Sequence, residues 1–169
     1  MLKPRLTKVV EEVFGAGGNH DLATDMTCRE KLLDFLREED HLILPLDDAN
    51  FMLARDMIHF IDADNVYAET TSSKEAFPYM KLFLERMMAS EFETWHYYDL
   101  KLLIASIQFT ESFEQARQLA SRAKKRIIQF KHVRPTESLQ GYLALNMCAR
   151  ILNAKHVDDD EPATSQFED

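Results

Sequence analysis

Two short stretches carry the residue types that catalysis or metal binding would need. Glu93-Thr-Trp-His96 and Asp56-Met-Ile-His59 each place a carboxylate three residues before an imidazole, a spacing that puts both groups on one helix face. In ferritin-like bundles such pairs hold a di-iron centre, together with bridging glutamates from two further helices. Glu85 is an available carboxylate, but no convincing complete set can be assembled from the chain. A helix start near Glu93 accounts for its negative charge without a metal. A di-iron helical-bundle enzyme is therefore the lesser alternative, and no cofactor is expected.

Nucleophilic chemistry has less support. Cys28 stands beside a candidate helix cap, a position that can lower a thiol pKa, yet no histidine or acid is tied to it by a signature. Cys148 lies within the apolar periodicity of "YLALNMCARIL", and both cysteines read as plain buried or half-buried thiols. There is no phosphate-binding loop, dinucleotide fingerprint or zinc-ligand pattern. An enzyme is not expected.

The basic run "RAKKRIIQFKHVR", residues 122–134, could touch phosphates or an acidic partner. Its apolar members (Ala123, Ile127 and Phe130, with Leu119 before them) keep a buried stripe. The charges then solvate the opposite face and complement the helix C-terminus. Trp95, Tyr98 and Leu102 share a face of the next candidate. Such stripes are usually core, but the polar tips of Trp and Tyr also suit a groove wall. With the soft side chain of Met87 nearby, Met87, Trp95 and Tyr98 are the candidate ligand-binding residues.

The elements that must position these groups are helical. Of 169 residues, 46% are apolar and 29% charged, with only four glycines and five prolines; this composition leaves little material for hairpins. Apolar spacing and caps predict about seven helices. The first covers Pro4 to Phe14 and is stopped by "GAGGN". The second starts at the capping box Thr27-x-x-Glu30 and buries Leu32, Leu33, Phe35 and Leu36.

A third helix runs from about Asp47 to Ala63, burying Phe51, Met52, Ile58 and Ile61. "DNVYAETTSSKE" then reads as a loop ending in a second box, Ser72-x-x-Glu75. Helix four follows to about Met88, with Pro78 tolerable only in its first turn. Helix five spans about Thr94 to Phe109. Ser112-x-x-Gln115 caps helix six, which reaches about Lys131. Helix seven runs from about Thr136 to Lys155, with Pro135 at its start. "HLILPL" is the only candidate strand. Short connections in the second half make helices four to seven antiparallel neighbours. The expected fold is all-α, a tetratricopeptide-like helical repeat forming one domain over residues 1–157, with an acidic, disordered tail over 158–169.

The net charge of −9 argues against the whole chain gripping nucleic acid. Two cysteines build no disulfide framework, and no signal peptide or spanning run is evident, which predicts a cytoplasmic protein with no membrane contact.

The stretch "YMKLFLERMMASEFETWHYYDLKLLIASIQFTESFEQARQLASRAKKRIIQF", followed by "YLALNMCARILNAK", resembles the C-terminal helical domain of the Rgg/GadR/MutR transcriptional regulators of Gram-positive bacteria. The carrying features are Trp95-x-x-Tyr98-Asp99, an apolar helix after it, and a last helix rich in Leu, Asn and Ala; the likeness covers about residues 77–157. It implies a tetratricopeptide-like domain that binds short signalling peptides, as in quorum sensing, and carries homodimer contacts. DNA would be met only through a helix-turn-helix domain not evident in this chain. The expected function is therefore a sensing and dimerisation domain that takes a short apolar peptide or a protein partner in a concave groove; the alternative is an interaction scaffold without a peptide ligand.

Overall fold

The computed structural model describes residues 2–15, 22–39 and 48–158. These form α1 (Pro4–Phe14), α2 (Leu22–Glu39), α3 (Ala49–Thr70), α4 (Ser73–Ala89), α5 (Tyr97–Ser106), α6 (Phe113–Phe130) and α7 (Glu137–Asp158), with 3-10 turns at Phe92–Thr94 and Ile107–Phe109. No strand occurs among the described residues. The candidate strand "HLILPL", most of "GAGGN" and residues 159–169 of the acidic tail lie outside them.

Helices pack in two layers. The odd-numbered ones form one: α1 meets α3, α3 meets α5, and α5 meets α7. Each of α2, α4 and α6 packs against the odd helices on either side of it in the chain, as a second layer. This alternation is the architecture of a helical repeat, in which each helix pair buries its apolar face against the next. The core runs continuously between the layers, from Leu6 and Val10 through Met57, Phe83 and Leu103 to Leu119 and Leu143.

Helix boundaries follow local chemistry. Pro4 sits at the start of α1, where its missing N–H costs nothing. Gly15 ends that helix; a Cβ there would stand 2.6 Å from the Glu11 carbonyl oxygen. Asp48 caps α3 by accepting from the Asn50 and Phe51 N–H groups at 2.8 and 3.2 Å. Ser112 accepts from the Gln115 N–H at 3.1 Å, and the Gln115 side chain accepts from the Glu111 N–H at 3.2 Å. The expected cap of α6 is thus present.

Several boundaries differ from the sequence expectation. The second helix begins at Leu22, so Thr27 lies inside it rather than capping it. The third does not stop at Ala63 but continues to Thr70, because Tyr67 packs on Phe109 with ring centroids 6.2 Å apart. The expected loop shrinks to Thr71 and Ser72. Thr71 closes α3 in the left-handed region at φ 53°. Ser72 holds the cap position of α4 but its side chain makes no cap bond. Pro78 is the sixth residue of α4, past the first turn, and is tolerated on the exposed face. Phe51 and Met52 are half-buried rather than core, as are Leu33 and Leu36.

The fifth helix is shorter than its periodicity suggested. A 3-10 turn, then extended backbone at Trp95 (ψ 127°) and His96 (ψ 172°), precede its start at Tyr97. His96 is the cap: its Nδ1 accepts the Asp99 N–H at 3.2 Å.

Candidate ligand cleft

All three sequence candidates lie inside the protein. Met87 and Trp95 are each 1% exposed and Tyr98 is 7% exposed. The Trp95 indole donates to Ser90 Oγ at 2.8 Å and meets Phe92 edge-on. Arg122 of α6 lies over the indole, 4.9 Å from its centroid, and donates to the carbonyls of Met87, Met88 and Ser90. Arg126 donates to the Trp95 carbonyl at 2.8 Å and stacks on Phe130. Two arginines of the basic run thus face inward, satisfying the carbonyls that end α4 and line the turn. Met87 and Trp95 belong to the packing seam between α4 and α6, not to a groove wall.

One member of each carboxylate–imidazole pair, Asp56 and His96, joins a cluster built around Arg86 and Asp99. Asp56 of α3 has a fully buried side chain; it accepts from Arg86 at 2.8 Å and from Arg55 at 3.1 Å. Arg86 is also 3.5 Å from Asp99, whose second oxygen is 3.1 Å from His96 Nε2. Burial pushes the Asp56 carboxyl above its ordinary range, with Arg86 and then Arg55 pulling against it. Burial likewise holds the His96 imidazole below its ordinary value, against the pull of Asp99.

Glu93 is exposed on the 3-10 turn and takes no part. His59 Nδ1 is buried and finds no hydrogen-bond partner among the described residues. No group of three or more His, Cys, Asp or Glu side chains among those residues is placed to hold a metal ion.

Of the two thiols, one is buried and one is not. Cys28 is buried, but burial and Glu12, 3.7 Å away, push its pKa up rather than down. Cys148 is exposed on α7.

The cavity of the fold lies on the odd-helix layer. A cleft of about 470 Å³ opens where α1, α3, α5 and α7 meet, within the size range of small-ligand and peptide-side-chain pockets. Phe14, Phe60, Ile104, Leu139, Tyr142 and Leu145 make its apolar surface; Asp64, Gln108, Ser138 and Asn146 place polar groups around it. One wall is pinned by Lys101, which pairs with Glu11 at 3.2 Å. Its ammonium also sits 5.7 Å from the Phe14 ring centroid and 5.4 Å from that of Tyr97.

Tyr98 supports this wall from behind: burial raises its phenol pKa, and a hydrogen bond with Glu11 raises it further, against Arg134. Of the three candidates, only Tyr98 thus bears on the cleft. Sequence reasoning missed the cleft residues because they come from four distant segments. The one local signal was Tyr142 and Leu145, apolar positions outside the buried period of α7.

Fold and cleft together define a helical-repeat protein with a ligand-sized hollow on the layer formed by its odd helices. Compared with protein-family models, with curated proteins and with solved structures, the chain matches none. No helix among the described residues is long and apolar enough to cross a membrane.

Proposed function

We propose that this chain is a binding module that grips a short apolar peptide in the cleft between α1, α3, α5 and α7. The observation that carries this reading is the cleft itself: a hollow of mixed apolar and polar lining, touched by the first and last helices of the repeat and by two between them. A ligand there contacts both ends of the array, so its binding favours one spacing of the helix pairs over others, which is how a sensor converts occupancy into shape. The chemistry-bearing side chains support binding over catalysis. Asp56, Asp99 and Glu11 are each engaged by a cation of the chain, and Cys28 is held as a thiol.

In its specific form the proposal is the peptide-sensing domain of a transcriptional regulator of the Rgg/GadR/MutR kind. The resemblance over residues 77–157 supports it, with DNA met through a domain outside the described residues. The test is calorimetry of the full chain with a library of apolar heptapeptides. Ala105, half-buried at the cleft, becomes the blocking site. A ligand that loses at least tenfold in affinity in Ala105→Trp, with helicity unchanged, supports the reading. Peptides that bind neither protein, or both equally, end it.

A further inference from the structure

Among the described residues, two of the most exposed aliphatic side chains are flanked by lysines. Ile128 is 63% exposed near the end of α6, and Val133 is 75% exposed in the turn that follows. Lys124 and Lys125 lie four and three residues before Ile128, and Lys131 three after it. Lys131 keeps helical backbone angles (φ −49°, ψ −35°), so all three share the face of Ile128. Arg134 is exposed beside Val133. Solvation of an outer face and of the helix C-terminus accounts for the lysines, but not for the two aliphatic groups set among them.

No carboxylate neutralises this corner. The sequence holds no acidic residue between Glu114 and Glu137, and Lys124, Lys125, Lys131 and Arg134 form no ion pair among the described residues. Glu93, on the neighbouring 3-10 turn, acts on Arg126. That arginine and Arg122 are turned inward to backbone carbonyls, and Arg134 lies over the Tyr97 ring, 4.9 Å from its centroid. Lysines and aliphatic groups are what this corner offers a partner. A nucleic acid would draw on arginine forks for base edges or on exposed aromatic rings for stacking. Phe130, the aromatic ring of this corner, is half-buried between Arg126 and Tyr97. Lysines around a pair of aliphatic side chains match instead the boundary of an anionic bilayer, where charged headgroups overlie acyl chains.

We infer that the corner from Lys124 to Arg134 is a docking surface for an anionic membrane. Ile128 and Val133 enter the boundary between headgroups and acyl chains, while the lysines bind the headgroups around them. Contact of this kind is peripheral and needs no spanning helix, the feature whose absence predicted no membrane contact. Acidic groups more than about 10 Å away are screened at ordinary salt, so the net charge of −9 orients the protein on the surface rather than barring it. The surface shares no residue with the cleft lining and does not depend on the peptide reading.

Vesicle sedimentation of the full chain tests this, using phosphatidylcholine vesicles with about 30% phosphatidylserine and pure phosphatidylcholine vesicles as the control. The expected result is binding to the anionic vesicles alone, weakened by added salt. Each lysine contributes about fivefold, so Lys124→Glu/Lys125→Glu should lower binding by about 25-fold or more. Lys131→Glu alone, beyond the last residue of α6, should cost about fivefold. Ile128→Ser/Val133→Ser should cost about fivefold or more and leave the salt dependence in place. Circular dichroism should be unchanged in all three. A chain that binds neither vesicle, or both alike, overturns the inference. Anionic binding indifferent to Ile128 and Val133 overturns it too, leaving a purely ionic contact. A labelled DNA duplex is the competing probe. Duplex binding that the lysine variants abolish, with the vesicles ignored, would make the corner a nucleic-acid surface instead.

Discussion

The guanidinium of Arg122 covers the indole of Trp95 while its N–H groups reach back to the carbonyls at the end of α4. One side chain thereby joins α6 to the irregular turn that positions α5. Arg122→Ala removes the stacking and leaves part-buried carbonyls without donors; it is expected to destabilise the fold by about 2–4 kcal/mol. Arg122→Lys, a point charge without the planar fork, recovers only part of this. Urea unfolding followed by circular dichroism reads both, and a loss below about 1 kcal/mol contradicts the bridging role.

Trp95 is a packing residue, so its removal is read in stability. Trp95→Ala should cost about 3–5 kcal/mol and Trp95→Phe much less. A ligand of the cleft should bind the folded Trp95→Phe protein as it binds wild type. Selective loss of affinity in that variant, with stability intact, would return Trp95 to a ligand wall.

Arg86 neutralises a buried acid. Arg86→Ala leaves the fully buried Asp56 stranded with Arg55 as its remaining cation, and is expected to destabilise by up to about 3–5 kcal/mol. Adding Asp56→Asn to that variant removes the stranded charge and should recover part of the loss. Additive effects in the double-mutant cycle would show the pair uncoupled.

His96 makes the fold sensitive to acid. Its imidazole is held below the ordinary value by burial, so the unfolded chain takes up its proton first as pH falls. Stability contributed by neutral His96 is present above the ordinary imidazole pKa of about 6.5 and is lost as pH drops through the interval below it. Protonation also removes the Nδ1 lone pair that accepts the Asp99 N–H. Melting curves between about pH 7 and 5 should fall more steeply for wild type than for His96→Asn, which keeps an acceptor without titrating. Parallel curves for the two proteins would assign the acid sensitivity elsewhere.

Much of the element order was legible because it rests on local chemistry. Leu6, Val9, Val10 and Val13 mark one face of α1, and Ser112 with Gln115 marks the start of α6. Illegible were the places where a distant contact overrides local preference. Tyr67 prolongs α3 because Phe109 is there to meet it. The basic run turns two arginines inward because the α4 carbonyls need donors.

Composition and apolar period by themselves determined an all-helical chain and the approximate places of its seven helices, since a helix reports its buried face every three to four residues. They also singled out Met87, Trp95 and Tyr98 as candidate ligand-binding residues. Only the tertiary structure decided that these three side chains are buried and that a hollow lies among Phe14, Phe60, Lys101 and Tyr142. The physical reason is that burial of a stripe is encoded along one helix, whereas a cleft is a relation between helices. Which faces are left uncovered depends on how four separate segments come to stand side by side.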